Sequence, residues 1–208
     1  MKNALFKTIS RTIETLDVNT IPEERKDTLK PLIAYLKVKI EAKDPIRLNF
    51  ICTHNSRRSH LSQIWAQTMA AYFNIPNVSC YSGGTEATAM FPKVGETLMN
   101  QGFKIVKLSE GNNPIYSVKY SQNEPAVIAF SKTYGDTFNP TSEFAAIMTC
   151  SSADEGCPMV FGCDKRMAIT YEDPKKSDGT THQTETYLNR SLQIATEMKF
   201  VFEEIINS

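Results

Sequence analysis

The sequence predicts an open, mostly parallel α/β sheet of four to five strands with helices on both faces, preceded by a helical hairpin. Three observations carry that prediction. From Ile46 onward, short apolar runs of strand length alternate with helical patterns, the signature of a parallel sheet with crossover helices. The first 44 residues, by contrast, show helical periodicity alone. And two of the strand-like runs are each followed at once by a cysteine, Cys52 and Cys150, where such sheets place their ligands.

Composition sets the outer limits. A chain of 208 residues that is 41% hydrophobic buries a substantial core, which fits one large domain with an appendage. The division expected is 1–44 for an N-terminal helical appendage and 45–208 for the sheet domain. Lys plus Arg and Asp plus Glu both number 23, so no global field points to nucleic acid or an anionic membrane as partner. The N-terminal MKNALFKTISRTIETL lacks a long apolar region with a small-residue cleavage site, and reads as neither signal nor anchor. No run approaches the roughly 18 to 20 apolar residues that span a bilayer. Five cysteines, Cys52, Cys80, Cys150, Cys157 and Cys163, are an odd number in a chain too large to need staples. Free thiols in a reducing cytoplasm are the expectation.

Along the chain, 2–16 and 23–42 read as the helical pair, with Leu29, Leu32, Ile33, Leu36 and Ile40 at helical spacing. Thr20 is the expected N-cap of the second helix, with Pro22 near its first turn. Asp44-Pro45 breaks that pattern. A strand over 47–51 follows, then a helix over 59–73, a strand over 78–81, a turn at Ser82-Gly83-Gly84, and a helix over 93–101 closed by Gly102. Segments 115–120 and 126–130, split by Ser121-Gln122-Asn123-Glu124-Pro125, read as a hairpin or two edge strands. Ala145 to Thr149 has buried-strand length, 167–171 suggests another strand, and 183–206 is a long amphipathic helix.

The chemistry concentrates in FICTHNSRRSHLSQ. A thiolate is the reactive form of cysteine, and a helix start beside Arg58 favours that anion. The loop Thr53, His54, Asn55, Ser56, Arg57 is able to aim successive backbone N–H groups inward as an anion cradle, with Asn55 tolerating left-handed backbone angles. Arg58 adds a planar bidentate donor for a tetrahedral oxyanion. Ser59 is placed to hydrogen-bond the Cys52 sulfur. Arg57 and His60 read as solvated rather than catalytic. Cys80 reads as an ordinary buried strand cysteine. The spacings of Cys150, Cys157 and Cys163 suit no zinc site, and no metal is expected.

Cys52-Thr53-His54-Asn55-Ser56-Arg57-Arg58-Ser59, of the form C-x5-R-S between a strand and a helix, resembles the phosphate loop (P-loop) of low-molecular-weight protein tyrosine phosphatases. It is equally similar to that of the thioredoxin-coupled arsenate reductases sharing their fold. Two positions depart from those reductases, with His54 where Gly is usual and Arg57 where Cys is usual. Met148 to Pro158, with two cysteines seven apart and the second before Pro, resembles the reductases' redox segment. Thr170-Tyr171-Glu172-Asp173-Pro174 matches the Asp-Pro that supplies the general acid in both families, with Glu172 a weaker candidate.

The resemblance implies arsenate reduction in the cytoplasm, a step of arsenic detoxification. Cys52 is then the nucleophile, Arg58 the oxyanion clamp and Asp173 the acid. Cys150 and Cys157 form a redox-active disulfide that thioredoxin, or another dithiol, reduces without any bound cofactor. The alternative is a phosphatase acting on phosphotyrosine or a small phosphomonoester through Cys52, Arg58 and Asp173 alone. A third reading is a non-catalytic oxyanion-binding or redox-sensing module. The reductases' loop-stabilising cation site is not carried over, because one of its acidic ligands would fall near Gln63.

Overall fold

A computed structural model describes residues 5–156 and 159–207. Its centre is a four-stranded, wholly parallel sheet in the order β2-β1-β6-β7, formed by β1 (Ile46–Cys52), β2 (Val78–Gly84), β6 (Phe144–Met148) and β7 (Cys163–Ala168). β1 and β6, in the middle, are apolar and buried along nearly their whole length, as strands covered on both faces must be. The expected α/β class is therefore borne out, at the lower end of the expected strand number.

The two faces are covered unequally. On one, α3 (Arg58–Tyr72) and α6 (Gln183–Ile206) pack with α2 (Glu23–Ala42) and α4 (Pro92–Asn100) over a core that includes Leu48, Phe50, Ile147, Trp65 and Phe202. On the other, the short α5 (Ser151–Gly156), Val160 and the chain around Tyr134 pack with Ile51, Ala146 and Met148.

Several boundaries differ from the expectations. Ser82-Gly83-Gly84 does not turn but continues β2, paired in register with Phe50, Ile51 and Cys52. The glycines are there for closeness: a Cβ on Gly84 would lie 2.3 Å from the Glu86 carbonyl oxygen and 2.7 Å from both Asn55 N and Thr53 O. β7 begins four residues earlier than read from the sequence, because Cys163 pairs with Phe144. The hairpin is present as β4 (Tyr116–Lys119) and β5 (Val127–Ala129), and β3 (Lys104–Lys107), which was not anticipated, extends it to a three-stranded antiparallel sheet.

The N-terminal pair also differs in detail. Thr20 is not a cap: Asp17 caps a 3-10 turn over Val18–Thr20, and α2 starts after Pro22 without a side-chain cap. α1 (Lys7–Thr15) and α2 pack mainly against α6 rather than against each other. The reason is the apolar stripe of α6, where Ile194, Met198, Val201 and Phe202 are buried with Ile9, Ile13, Leu29 and Leu36 in one cluster.

Candidate active site

The site begins where β1 stops. Cys52 is its last residue, the loop occupies 53–57, and α3 opens at Arg58. Outer segments hold the loop by its carbonyls. Cys52 O accepts from Thr85 N, Thr53 O from Glu86 N, His54 O from the Ser131 hydroxyl, and Ser56 O from Phe91 N, at 2.8–3.1 Å. In a trans peptide the carbonyl and the following N–H point opposite ways. Tying those oxygens outward therefore turns the N–H groups of Thr53, His54, Asn55 and Arg57 inward, beside the free N–H groups of a helix start. Asn55 takes the left-handed conformation anticipated for it, at φ 43°.

Asn55 also ties the loop to two neighbours. Its Oδ1 accepts from Lys132 N at 2.9 Å, so its Nδ2 must be the atom that donates to Ser59 Oγ at 2.8 Å. The same Ser59 Oγ lies 3.1 Å from the Cys52 sulfur and is able to donate to it whenever that sulfur is a thiolate, which has no proton to give. Cys52 is buried, with 3% of the residue exposed.

Arg58 reaches across the loop mouth. Nη1 donates to Tyr171 O at 3.0 Å and Nη2 to Asp173 Oδ2 at 2.6 Å, while the buried Nε has no hydrogen-bond partner. Asp173 caps a 3-10 turn over Pro174–Ser177 through Lys175 N. Glu172 faces outward, its side chain 79% exposed and 3.7 Å from Arg190. What remains is a cavity of about 10 Å³ lined by Cys52, His54, Ser56, Arg57, Arg58 and Asp173, room for little more than one water.

Cys150 lies two residues beyond the end of β6, after Thr149, and is 1% exposed. Its sulfur lies 3.4 Å from Thr53 Oγ1, at the edge of the anion loop, and 3.4 Å from Ala153 N. Cys157 lies outside the described residues. Cys80 is buried, which pushes its thiol pKa up, and Cys163 is partly exposed with its thiol on Val160 O.

Two expectations are corrected here. His60 is not solvated: it is fully buried with Nδ1 3.3 Å from Ser82 Oγ, and burial, with the nearby Lys132 charge, pushes its pKa down to about 3. Arg57 is not solvated either. Its guanidinium turns away from the loop mouth to Asp178 and Tyr187 at 2.6 and 2.5 Å, over the Phe91 ring. Side chains at a helix start face whatever the fold packs there, and spacing alone did not show that α6 covers this one.

Sequence reasoning also missed Lys132, which is 2% exposed, lies between the Phe130 and Phe138 rings, and has its pKa pushed down to about 8 by burial. It carries the backbone N–H that sets Asn55, from a segment to which no motif drew notice. Gln63 donates to Cys80 O at 3.0 Å, and its Oε1 is buried without a partner.

No protein-family model matches the chain. An arsenate reductase of Bacillus licheniformis is 25% identical over 142 residues, covering 68% of this chain and 83% of that relative. Among solved structures, a mutant of YwlE from Bacillus subtilis superposes with a TM-score of 0.50 at 12% identity, over 77% of this chain and 99% of its own. A low-molecular-weight phosphotyrosine phosphatase from Vibrio cholerae O395 gives a TM-score of 0.50 at 12% identity, over 78% of this chain and 97% of its own. The fold is that of the low-molecular-weight phosphatases, and the resemblance read from the sequence is borne out.

Proposed function

We propose that this protein reduces arsenate to arsenite through the thiols of Cys52, Cys150 and Cys157. The observation that carries the reading is the position of Cys150: a second, buried thiol at the end of the neighbouring strand, touching the loop that bears the first. A hydrolase has no use for that group; a reductase requires it.

The chemistry runs as follows. Arsenate enters the loop, held by the inward amides and by Arg58, whose unpartnered Nε and adjacent Nη2 form a bidentate edge. An anion that draws Arg58 onto itself loosens the Asp173 pair and leaves that carboxyl facing the anion. The Cys52 thiolate attacks arsenic, and Asp173 gives its proton to the departing hydroxide, which leaves as water. Cys150 then attacks the Cys52 sulfur. The sulfur–arsenic electron pair goes to arsenic, arsenite leaves, and a Cys52–Cys150 disulfide forms. Attack by Cys157 on Cys150 frees Cys52 and passes the two-electron oxidation to a Cys150–Cys157 disulfide, which a dithiol protein of the thioredoxin class reduces. The need for reduced thiols assigns the reaction to the cytoplasm.

The second reading, hydrolysis of a small phosphomonoester, is favoured by one feature: Cys52, Arg58 and Asp173 already suffice for it. The tight polar cavity argues for a bare oxyanion over a phosphotyrosine, since no aromatic side chain lines it. The test couples arsenate, thioredoxin, thioredoxin reductase and NADPH. Cys150→Ser and Cys157→Ser should each abolish NADPH consumption. Full rates in both variants would end the relay reading, and brisk turnover of para-nitrophenyl phosphate that ignores both substitutions would favour the hydrolase.

A further inference from the structure

The two adjacent arginines of the loop grip both ends of one rigid segment. Arg58 holds Asp173, which precedes the 3-10 turn Pro174–Ser177, and Arg57 holds Asp178, which follows it. The turn between them is closed by Ser177 Oγ on Pro174 O and by Lys175 N on Asp173, so it moves as a block.

The two grips differ in kind. Arg58 is shared between two anions, because the Nη2 that now donates to Asp173 also belongs to the edge an oxyanion needs, and an anion that draws the guanidinium onto itself competes with that pair. Arg57 faces no such competition. Its Nε donates to Tyr187 OH, its Nη2 to Asp178 Oδ2, and Tyr187 OH donates on to Asp178 Oδ1 at 2.7 Å. Gln183 Nε2 adds a further bond to the same carboxylate. The Arg57 guanidinium lies 4.1 Å from the Phe91 ring centroid, and Phe91 N holds Ser56 O of the loop. The cluster thus joins the anion loop, the acid-bearing segment and α6. Burial raises the Asp178 pKa, but its donors and the Arg57 charge outweigh that and keep it below the usual carboxylate range.

From this geometry we infer that Arg57, with Asp178 and Tyr187, is a positioning clamp that keeps Asp173 aimed at the substrate once Arg58 lets go of it. The inference rests on the reading of Asp173 as the general acid. An anion that displaces Asp173 from Arg58 removes one of the segment's two ionic tethers at the moment the acid must act. Arg57 supplies the tether that does not depend on occupancy.

Two measurements test it. The first needs no activity: hydrogen exchange of the amides over 175–178 in Arg58→Gln and in Arg58→Gln/Asp178→Asn. With Arg58 removed, Arg57 alone should keep the segment protected, and the double variant should exchange at least tenfold faster. Equal protection in the two would overturn the clamp. The second is kinetic, in the arsenate-coupled assay. Asp178→Asn and Tyr187→Phe, which retain shape, should lower kcat at least tenfold while changing KM less than threefold. Added to Asp173→Asn, Asp178→Asn should cost nothing further. A loss confined to KM, or one that multiplies fully with that of Asp173→Asn, would refute positioning. If Asp173→Asn alone keeps the parent rate, the acid assignment has failed, and the exchange result still decides the clamp.

Discussion

Replacing Glu197 by Gln tests how the N-terminal helices are tied to the segment that leads into Asp173. Glu197 sits on α6 with its side chain 3% exposed, and accepts from Arg25 of α2 through Nε at 2.9 Å and Nη2 at 2.7 Å. The Arg25 guanidinium also lies 4.8 Å from the Tyr171 ring centroid, and the Tyr171 carbonyl is the one that holds Arg58. Breaking a buried pair from one side costs about 3–5 kcal/mol, because a charge is left without compensation. Arg25 keeps 19% of its side chain in solvent and regains some hydration, so the lower end, about 3 kcal/mol, applies. At about 2–4 °C per kcal/mol for a chain of this size, the midpoint should fall by roughly 6–12 °C. Urea unfolding at pH 7 measures the free energy, and a melt the midpoint. Arg25→Met should cost more, since it strands the deeper-buried carboxylate. Arg25→Met/Glu197→Leu should recover to within about 1–2 kcal/mol of the parent. A loss under about 1 kcal/mol in Glu197→Gln, or a double variant as weak as the two singles summed, would refute the reasoning.

Two further predictions concern stability and the loop. His60 has a folded-state pKa of about 3, below that of the unfolded chain, so the unfolded state takes up the proton first as pH falls below about 6.5. Stability should drop by up to about 1.4 kcal/mol per pH unit from this group, and urea midpoints from pH 7 to 5 should show a shallower slope in His60→Gln. Gly84→Ala forces a Cβ into the backbone of Asn55 and Thr53, so it should weaken phosphate binding at least tenfold by isothermal calorimetry. Unchanged affinity would mean that the loop does not depend on β2 for its shape.

What the sequence made legible, and what it did not, divides along the line between local and non-local information. Cys52, Asn55 and Ser59 were readable because their interactions lie within one strand–loop–helix unit, where spacing dictates geometry. The long helix 183–206 was readable for the same reason, since one apolar stripe determines it. Arg57 and His60 were misread because polarity suggests solvent, while their surroundings come from α6 and β2. Lys132 carried no signal at all: its contribution to the loop is a backbone N–H, which every residue but proline has. β3 was missed because its four residues are mostly exposed and alternate weakly, so its pairing with β4 decides the matter rather than its own pattern.

The sheet explains why two thiols so distant in sequence lie at one edge. β1 and β6 are adjacent and parallel, with Ile51 opposite Met148, so the chain beyond both strands emerges on one edge. Thr149 locks that edge by donating twice to Ile51 O, through N at 2.6 Å and Oγ1 at 3.0 Å, which leaves Cys150 next to the loop. Beyond Cys150 the chain turns straight into α5, whose Ala153 N lies 3.4 Å from the Cys150 sulfur, and Asp154 ties that short helix to β7 through Arg166 Nη2 at 2.5 Å, so Cys150 is held between the loop and α5.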